Sequence, residues 1–503
     1  MAGTHIIKSA GLSGVSGFGV AVEVSITNGL PGFVIVGLPD NSVRESRERV
    51  RAAIKNIGLE FPMRRILVNL APADTKKEGP IYDLPIAIGL LAASEQIDPV
   101  SEKAMFVGEL SLDGELRPVT GMLPMALSAR ADGIDSLFVP KACALEASIA
   151  EGIKVYPAGH ICDIIDHLRG ERPIEPAPPY DLAACEPDRL DFSEVKGQPS
   201  VKRAIEVAVS GAHNILLTGV AGGGKSMMAR RIPSVLPPMS MEEMIESTAI
   251  HSAAGLTNKS APLLTRRPFR SPHHTVSTSG MAGGGKTPKP GEISLAHNGV
   301  LFLDEFPEFQ RNVLESLRQP LEDGSITITR AAWTCTFPSS FMLVCAMNPC
   351  KCGWYGHPNG KCGCSEEAVK NYARRISGPI LDRIDIFADV PSLAYGDLAS
   401  AGKSESSAKI RERVTAARAR QLDRQGTPNA RMSGDRLAAH CVLSREGAEL
   451  MRAAYDKFAL SARAYGRILK VARTIADLAG SRGIETEHLA EAIRYRNSGM
   501  LET

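Results

Sequence analysis

One loop of the sequence has the residue types and the spacing that bind the phosphates of a nucleotide. It matches the pattern G-x-x-x-x-G-K-[ST]. Glycines let backbone N–H groups converge on phosphate oxygens, and the N-terminus of a following helix adds a favourable dipole. Lys225 would reach the outer phosphates, and Ser226 would hold Mg²⁺. The residues predicted to contact the nucleotide are Gly219, Val220, Ala221, Gly222, Gly223, Gly224, Lys225 and Ser226.

Two carboxylates later in the chain complete this chemistry. Val300 to Leu303 is an apolar run typical of a buried strand, and Asp304 and Glu305 follow it directly. Asp304 would bind the same Mg²⁺, and Glu305 would orient or deprotonate the attacking water. Together, the loop and the carboxylate pair predict hydrolysis of a nucleoside triphosphate.

The elements around the phosphate loop are those that its chemistry requires. Asn214 to Thr218 is a short apolar run of strand character before the loop, and Met227 to Ile232 can begin a helix after it. A phosphate loop joins such a strand to such a helix, so the motif stands in its proper context.

A second match to the same pattern lacks that context. It runs from Gly280 to Thr287, and the polar segment before it is a poor core strand. Pro288 and Pro290 follow it and cannot open a long regular helix. We therefore interpret this segment as a Gly-rich loop that binds no nucleotide.

Composition limits the class of protein. A chain of 503 residues with 44% hydrophobic residues can bury several cores, which favours two to four domains. The formal charge is only +2, but residues 404–503 hold 18 Lys/Arg against 12 Asp/Glu. No apolar run is long enough for a membrane span, and the N-terminus has no secretion signal pattern. Ten cysteines in such a chain predict reduced thiols in the cytoplasm.

Two connectors divide the chain. Residues 172–180 are dense in proline and predict an extended spacer, and residues 392–407 carry Ser, Gly and Ala with little apolar pattern. Helices are predicted beyond the second connector, at 408–425 and 460–480. The predicted parts are an N-terminal domain at 1–171, a linker at 172–190, a nucleotide-binding α/β core at 191–395 and a C-terminal helical domain at 396–503.

The chain resembles a known family over nearly its full length. The core is similar to AAA+ ATPases of the Mg-chelatase-like branch, and the whole chain resembles the YifB/ComM family. The resemblance implies a homo-oligomeric ring, a hexamer, with ATP and Mg²⁺ bound between neighbours. The segments that carry it are Gly32 to Asp40, Phe269 to His274, Pro290 to His297, Leu317 to Asp323, Gly378 to Asp385 and Ser461 to Arg463.

The resemblance also implies roles for three further residues. Asn348 follows the apolar run from Phe341 to Met347 and takes the place of the polar sensor beside the attacking water. Arg383 matches a finger that a neighbouring subunit supplies to stabilise transition-state charge. Arg463 matches a second sensor that contacts the γ-phosphate from a helical lid. An ordinary salt bridge is the alternative for each arginine.

Four cysteines form two close pairs after Asn348. The pairs are Cys350 with Cys352 and Cys362 with Cys364, and turn-forming residues between them let the pairs fold back on each other. Four thiols in a reducing compartment suit a tetrahedral structural Zn²⁺ in a knuckle at 350–364. Free thiols and a redox role are the alternatives, and His357 is interpreted as a turn residue rather than a ligand.

Two segments could contact a polymer in the pore of a ring. Residues 325–330 and 333–337 alternate like the strands of a hairpin about a turn at Ala331-Ala332, and Arg330 lies at its tip. Residues 266–289 are the second candidate, because their basic side chains could contact phosphates without reading sequence. Packing between subunits is the alternative interpretation of both.

The N-terminal domain resembles the Lon-protease type of α+β fold, which is also the fold of ribosomal protein S5 domain 2. Residues 73–87 take the place of the segment with the protease nucleophile, and residues 108–123 take the place of the segment with its lysine. The serine position reads Ile81 and the lysine position reads Leu123. Lys76 and Lys77 have no serine partner in the motif. Without a nucleophile and its base, acyl transfer is excluded.

The sequence allows three functions to be compared, of which the third is excluded. The first is a motor that moves on DNA, and the family resemblance points to branch migration in recombination or DNA uptake. The second is a chelatase-like motor that remodels a protein partner. The third is an ATP-dependent protease, which Ile81 and Leu123 exclude. Nothing in the sequence predicts a porphyrin site or a membrane partner.

Overall fold

A computed structural model describes residues 4–181, 190–285, 288–330, 333–357, 360–392 and 404–496 of the chain. Its residues form two compact units. The first contains the described parts of Met1–Cys185, Met241–Leu264 and Thr287–Pro290, and the second contains the described parts of Glu186–Ser240, Thr265–Lys286 and Gly291–Thr503.

The elements of the N-terminal part are β1 His5–Ser13, β2 Ser16–Thr27, β3 Gly32–Val36, α1 Asn41–Asn56, β4 Arg65–Ala71, α2 Asp83–Ala93, β5 Ala104–Phe106, β6 Glu109–Leu110, β7 Leu116–Arg117, α3 Met122–Ala131, β8 Ser136–Pro140, α4 Ala144–Ala147, β9 Lys154–Ala158 and α5 Ile161–Leu168.

The elements from the first connector to the second are α6 Pro199–Gly211, β10 Ile215–Gly219, α7 Lys225–Ala229, α8 Met241–Ala254, β11 Phe269–Arg270, α9 Thr278–Ala282, β12 Gly283–Gly284, β13 Lys289–Pro290, α10 Glu292–Leu295, β14 Val300–Leu303, α11 Arg311–Glu315, α12 Arg318–Asp323, β15 Ser325–Arg330, β16 Trp333–Pro338, β17 Met342–Met347, α13 Glu366–Ala373, α14 Gly378–Leu381 and β18 Ile386–Val390.

The C-terminal helices are α15 Ser407–Gln425, α16 Gly434–His440, α17 Arg445–Lys457, α18 Ala462–Ala479 and α19 Thr486–Arg496. Short 3₁₀ helices lie at Pro80–Tyr82, Lys141–Cys143, Phe192–Glu194, Ile232–Val235, Phe306–Glu308 and Asn429–Arg431.

A seven-stranded mixed sheet organises the first unit, in the order β3-β4-β2-β1-β5-β8-β9. β1, β2 and β4 pair antiparallel, whereas β5, β8 and β9 continue the sheet with parallel pairing. The apolar helix α2 is buried along nearly its whole length and packs on β1 and β2. After Asp83 this helix has no polar face, so it needs cover on every side.

Helix α8 belongs to the first unit, although the chain on both sides of it belongs to the second. It packs on α3, and the Gly121 N–H donates a hydrogen bond to the Ser252 carbonyl at 3.1 Å. The Glu146 carboxylate accepts from the Leu123 N–H at 2.9 Å and from the Thr257 hydroxyl at 3.1 Å. The two units therefore differ from the predicted core at 191–395, because residues 241–264 and 288–290 group with the N-terminal elements.

A five-stranded parallel sheet organises the second unit, in the order β11-β14-β17-β10-β18. Every residue of β14 and β17 is buried. Parallel strands are covered by helices on both faces, so they read as continuous apolar runs. The mixed α/β architecture that the sequence predicts, with a parallel-sheet core, is thus confirmed. The described residues contain no helix long and apolar enough to cross a membrane.

The predicted hairpin and C-terminal helices are also present. β15 and β16 pair antiparallel from Ser325 opposite Pro338 to Arg330 opposite Trp333, and the predicted turn at 331–332 lies outside the described residues. α15 ends at Gly426 and α18 ends at Gly480, both in the left-handed conformation that glycine adopts without strain.

A buried ion pair fixes α1 to α2 in the first unit. Asp83 is fully buried, and the Arg49 guanidinium donates to its two carboxylate oxygens at 2.7 and 3.0 Å. The Leu110 N–H donates a further hydrogen bond to the same carboxylate at 3.3 Å. Burial opposes ionisation of Asp83, and the Arg49 guanidinium offsets the free-energy cost of burying its charge.

We predict that Arg49→Met destabilises the first unit, because it leaves the Asp83 charge buried without a cation. The expected loss in the free energy of unfolding is about 3–5 kcal/mol. Chemical denaturation followed by far-UV circular dichroism measures it. Arg44→Met is the matched control, since Arg44 is an exposed arginine of the same helix. Adding Asp83→Asn to Arg49→Met should recover part of the loss. Equal stability of the two arginine variants would contradict the prediction.

Candidate functional site

The phosphate loop lies at the carboxyl end of β10, between that strand and α7. β10 is held between β17 and β18 by parallel pairing on both sides. Gly224 precedes α7 with φ of +87°, a left-handed conformation that a side chain would strain. The predicted helix at 227–232 is shorter than expected, because Pro233 follows and the chain turns into a 3₁₀ helix there.

The Lys225 ammonium group lies inside the loop. Lys225 is only 8% exposed, and its Nζ donates to the carbonyls of Gly219 at 2.7 Å and Val220 at 2.9 Å. It also donates to the Asn348 side-chain oxygen at 3.1 Å. Burial lowers the pKa of Lys225 below its usual value. The structure thus brings together the lysine and the polar residue that the sequence predicted for this site.

The two residues predicted to bind Mg²⁺ are in direct contact. The Ser226 hydroxyl donates a hydrogen bond to the Asp304 carboxylate at 2.6 Å. The parallel pairing of β14 with β17, and of β17 with β10, places the carboxyl ends of the three strands at one edge of the sheet. A hydroxyl and a carboxylate oxygen are hard ligands of the kind that Mg²⁺ prefers, so this pair fits the ion.

Glu305 has an unusual backbone and a partner that the sequence did not predict. Its φ is +53°, which is uncommon for a residue with a side chain and is found at functional sites. Its carboxylate lies 3.2 Å from Nδ1 of His274. His274 follows the edge strand β11, which pairs with β14. The signal available in the sequence was the segment Phe269 to His274, which ends at this histidine and carries part of the family resemblance.

Arg383 lies at the opposite edge of the sheet from the phosphate loop. It precedes β18, and the register places Ile386 beside Ile215, the first residue of β10. Arg383 is 5% exposed, donates to the Pro379 carbonyl at 2.6 Å and forms an ion pair with Glu322. Its guanidinium lines a cavity of about 510 Å³ within the second unit.

A buried polar network joins this edge to α18. His213 Nε2 lies 2.8 Å from the Thr474 hydroxyl, and its Nδ1 lies 3.4 Å from the Asp385 carboxylate. Arg467 reaches the same carboxylate at 3.4 Å. Burial opposes ionisation of Asp385, but His213 and Arg467 outweigh it and lower the pKa of the carboxyl below its usual value.

Arg463 stands apart from these contacts. It lies in the first turn of α18, where the Ser461 hydroxyl caps the helix by accepting from the Ala464 N–H at 3.2 Å. The Arg463 side chain is exposed and makes no hydrogen bond or ion pair with any described residue. The structure therefore does not bring Arg463 together with Lys225, and its predicted contact with the γ-phosphate stays a prediction.

The four predicted metal ligands form one cluster. Their Sγ atoms all lie within 4.8 Å of one another, with the pairs 350–352, 350–362 and 352–362 separated by 3.2, 3.7 and 3.5 Å. Tetrahedral Zn²⁺ at about 2.3 Å from each sulfur requires sulfurs about 3.8 Å apart, so the cluster fits the ion. The nine described cysteines are free thiols. The Trp354 backbone N–H, followed by the neighbouring thiols, lowers the pKa of Cys352 to about 6.

The two candidate polymer-binding segments differ in what their arginines do. Arg270 pairs with both oxygens of the Glu292 carboxylate at 2.7 Å, and Arg267 donates to the Asn298 carbonyl at 2.8 Å. Both arginines are thus engaged by groups of the second unit. Arg330 is exposed and makes no ion pair with a described residue. Its guanidinium lies near Gly284, since a Cβ atom built on that glycine would be 3.8 Å from it.

The second phosphate-loop match has no strand–loop–helix geometry among its described residues. Helix α9 ends at Ala282 and Gly283–Gly284 form β12, so a short helix precedes these glycines instead of following them. Lys286 and Thr287 lie outside the described residues. The described residues of the segment thus lie mainly in α9 and β12 rather than in a loop, but their geometry agrees with the interpretation that the segment is not a phosphate loop.

The N-terminal positions that resemble a protease hold no acyl-transfer pair. Ile81 lies in a 3₁₀ helix, and Leu123 is fully buried in α3. Lys77 is fully buried, and its ammonium donates to the carbonyls of Pro72 and Thr75. Lys76 pairs with Glu78 at 2.5 Å. Both lysines are therefore engaged by groups other than a serine.

Three family models match consecutive parts of the chain. The model described as magnesium chelatase, subunit ChlI, matches residues 191–398. Subunit ChlI of Mg-chelatase matches residues 22–143, and the C-terminal model of the same subunit matches residues 404–496. The matches therefore cover the N-terminal part, the parallel-sheet core and the C-terminal helices.

Two bacterial proteins are similar to the chain over nearly its whole length. Competence protein ComM of Haemophilus influenzae is 43% identical over 98% of this chain and 97% of that protein. A YifB protein of Escherichia coli is 44% identical over 98% of this chain and 96% of that protein. Similarity to a Lon protease of Brevibacillus choshinensis is partial, at 26% identity over 30% of this chain and 21% of the protease.

Proposed function

The chain belongs to the YifB/ComM family of Mg-chelatase-like AAA+ ATPases, and on that basis we propose that it forms a ring that couples ATP hydrolysis to movement along DNA. The observation that carries the ATPase part is the convergence of Lys225, Ser226, Asp304 and Asn348 at one edge of the parallel sheet. Ligands bind at the carboxyl ends of strands in such sheets, at the point where the strand order reverses.

ATP is the substrate, and each residue at this edge has a task in its hydrolysis. Lys225 exchanges its loop carbonyls for phosphate oxygens, and Ser226 and Asp304 hold Mg²⁺, which neutralises charge on the phosphates when bound. Glu305 accepts a proton from the attacking water, and Asn348 orients that water. His274 positions the Glu305 carboxylate through their 3.2 Å contact.

Arg383 supplies positive charge to the site of a neighbouring subunit in this proposal. It cannot serve the phosphate loop of its own chain, because the parallel sheet separates the amino end of β18 from the carboxyl end of β10. A neighbour in a ring can present its loop to this edge. Arg383 would then leave Glu322, which is half exposed, for a phosphate oxygen. Arg463 would contact the γ-phosphate from α18. Hydrolysis therefore depends on assembly, for which we propose a hexamer.

DNA is the proposed polymer, and the hairpin of β15 and β16 is its proposed contact. Its base is anchored by Ile326 and Phe337, which are buried opposite each other, while Arg330 is exposed at its far end. A ring of such arginines would bind phosphates without reading sequence. The similarity to a competence protein favours DNA and points to branch migration during recombination or DNA uptake. A protein partner remodelled in the pore is the second candidate, favoured by the chelatase models.

We also propose roles for the remaining parts. The four clustered thiols bind one structural Zn²⁺, because their mutual distances fit its tetrahedral geometry. In this proposal the first unit has the Lon-protease-like fold of ribosomal protein S5 domain 2, and the chain is partly similar to a Lon protease. It is not a protease, since Ile81 and Leu123 offer neither a nucleophile nor a base.

We predict that Lys225→Ala abolishes ATP binding, whereas Glu305→Gln preserves binding and stops turnover. The lysine binds phosphate in the ground state, but the glutamate acts on the attacking water. Equilibrium binding of a fluorescent ATP analogue and steady-state phosphate release separate the two effects. Normal turnover by Glu305→Gln would disprove the assigned role.

We predict that Arg383→Ala leaves ATP affinity nearly unchanged and lowers turnover by roughly a thousandfold or more, the usual effect of losing such a finger. Mixing Arg383→Ala with Lys225→Ala subunits should restore part of the activity. One subunit then offers an intact loop and its neighbour offers an intact finger. A purely structural role of Arg383 predicts no recovery on mixing.

We predict salt-dependent binding of DNA that weakens in Arg330→Ala. Removing one phosphate contact per chain should lower the dependence of log Kd on log salt by about one unit per lost contact. Fluorescence anisotropy over a salt series measures it, with Arg44→Ala as the control that removes the same charge elsewhere. If the ring binds no DNA at low salt and DNA leaves ATP hydrolysis unchanged, the protein-remodelling candidate takes its place.

A further inference from the structure

The cysteine loop, which comprises the described residues of 350–364, contacts the phosphate loop directly. The Ala221 N–H, in the middle of the phosphate loop, donates a hydrogen bond to the Gly353 carbonyl at 3.0 Å. Gly353 follows Cys352 immediately, so the acceptor belongs to the residue next to one of the four clustered thiols. The two loops lie within the second unit and are joined backbone to backbone.

A glycine at this contact avoids both backbone strain and crowding of the phosphate loop. Gly353 has φ of +82°, and a Cβ atom built on it would lie 3.0 Å from the Ala221 Cβ and 3.8 Å from the Asn348 Cγ. A contact of 3.0 Å between two such atoms is closer than the usual separation of packed carbon atoms, so Ala221 would have to shift by a few tenths of an ångström to make room. The backbone of the cysteine loop therefore lies close against the phosphate loop at this point.

A second connection runs along the chain. Cys350 is fully buried and stands two residues after Asn348, whose side-chain oxygen accepts a hydrogen bond from Lys225 at 3.1 Å. The thiol cluster is thus tied to the phosphate loop at two points, through Asn348 to Lys225 and through Gly353 to Ala221. At both points the contacted residue, Lys225 or Ala221, is one that is predicted to contact the nucleotide.

The cysteine loop is ordered by short-range turns rather than by regular secondary structure, as in the hydrogen bonds from the Gly353 N–H to the Cys350 carbonyl at 3.0 Å and from the His357 N–H to the Trp354 carbonyl at 3.1 Å. The described residues between β17 and α13 form neither a helix nor a strand. Trp354 contacts the His357 ring at 5.1 Å and lies under the Lys361 ammonium at 4.9 Å. A segment without a ladder of backbone hydrogen bonds needs another source of order, and a bound metal ion supplies it in small loops of this kind.

We propose that Zn²⁺ bound by the four thiols controls nucleotide affinity, by fixing Gly353 and Asn348 against the phosphate loop. The inference rests on the proposed ATPase site and adds regulation to it. Loss of the metal frees the cysteine loop, and the loop then no longer holds the Ala221 backbone in the conformation that receives phosphates. The protein would bind ATP tightly only while its metal site is filled.

The decisive comparison is between two glycines of the same loop. Gly353→Ala adds a methyl group against Ala221, while Gly356→Ala adds one at a similar φ of +77° with no atom within 4 Å. The backbone strain is matched, and only the contact with the phosphate loop differs. Both variants are expected to keep about one Zn²⁺ per chain by elemental analysis, because neither alters a thiol.

Affinity for a fluorescent, non-hydrolysable ATP analogue in excess Mg²⁺ is the readout. We expect Gly353→Ala to bind the analogue about tenfold more weakly than Gly356→Ala, equivalent to about 1.4 kcal/mol. Cys350→Ser with Cys352→Ser should lose both the metal and the affinity. Wild-type protein treated with a zinc-selective chelator should lose affinity, and added Zn²⁺ should restore it, which tests the idea even if a variant fails to fold.

Two results would overturn the inference. One is a metal-free wild-type protein that binds the analogue as tightly as the zinc-loaded protein. The other is equal affinity of the two glycine variants. Failure of the ATPase proposal is distinguishable, since Lys225→Ala would then bind the analogue normally while the zinc content remained intact.

Discussion

Parallel pairing within the second unit is the constraint on which the rest of the site depends. Because β10, β14 and β17 run in the same direction and in register, the residues that follow them meet at one edge of the sheet. This places Ser226 beside Asp304 and Lys225 beside Asn348, although these residues are far apart in the sequence. The buried apolar strands thus fix the positions of their carboxyl ends, where these four residues lie.

The same constraint gives the sheet a second edge with a different character. The amino ends of β10 and β18 carry Asn214, Asp385 and Arg383, and the buried His213 links them to Thr474 of α18. A shift of α18 would therefore act through His213 on the position of Asp385, at the edge that carries Arg383. Polar groups buried in this way are stable only when they are paired, so the network keeps the C-terminal helices in a defined position on the sheet.

The cysteine loop and helix α8 are two insertions between elements of the second unit. The loop stays beside the phosphate loop and has clustered thiols in place of secondary structure. Helix α8 instead joins the first unit, where α3 and the Glu146 carboxylate hold it. The first insertion is placed to act on the nucleotide site. The second belongs to the first unit, although the chain on both sides of it belongs to the second.

The sequence by itself determined the local elements and the residue types of the site. The Gly-rich loop, the strand before Asp304, the hairpin and the cysteine pairs all depend on short-range patterns, and the structure has each of them. Only the tertiary structure decided which distant residues meet, because contacts such as His274 with Glu305 and Gly353 with Ala221 arise from strand order and loop packing. It also placed Arg383 against Glu322 and grouped α8 with the first unit, since burial and pairing depend on neighbours that no local pattern specifies.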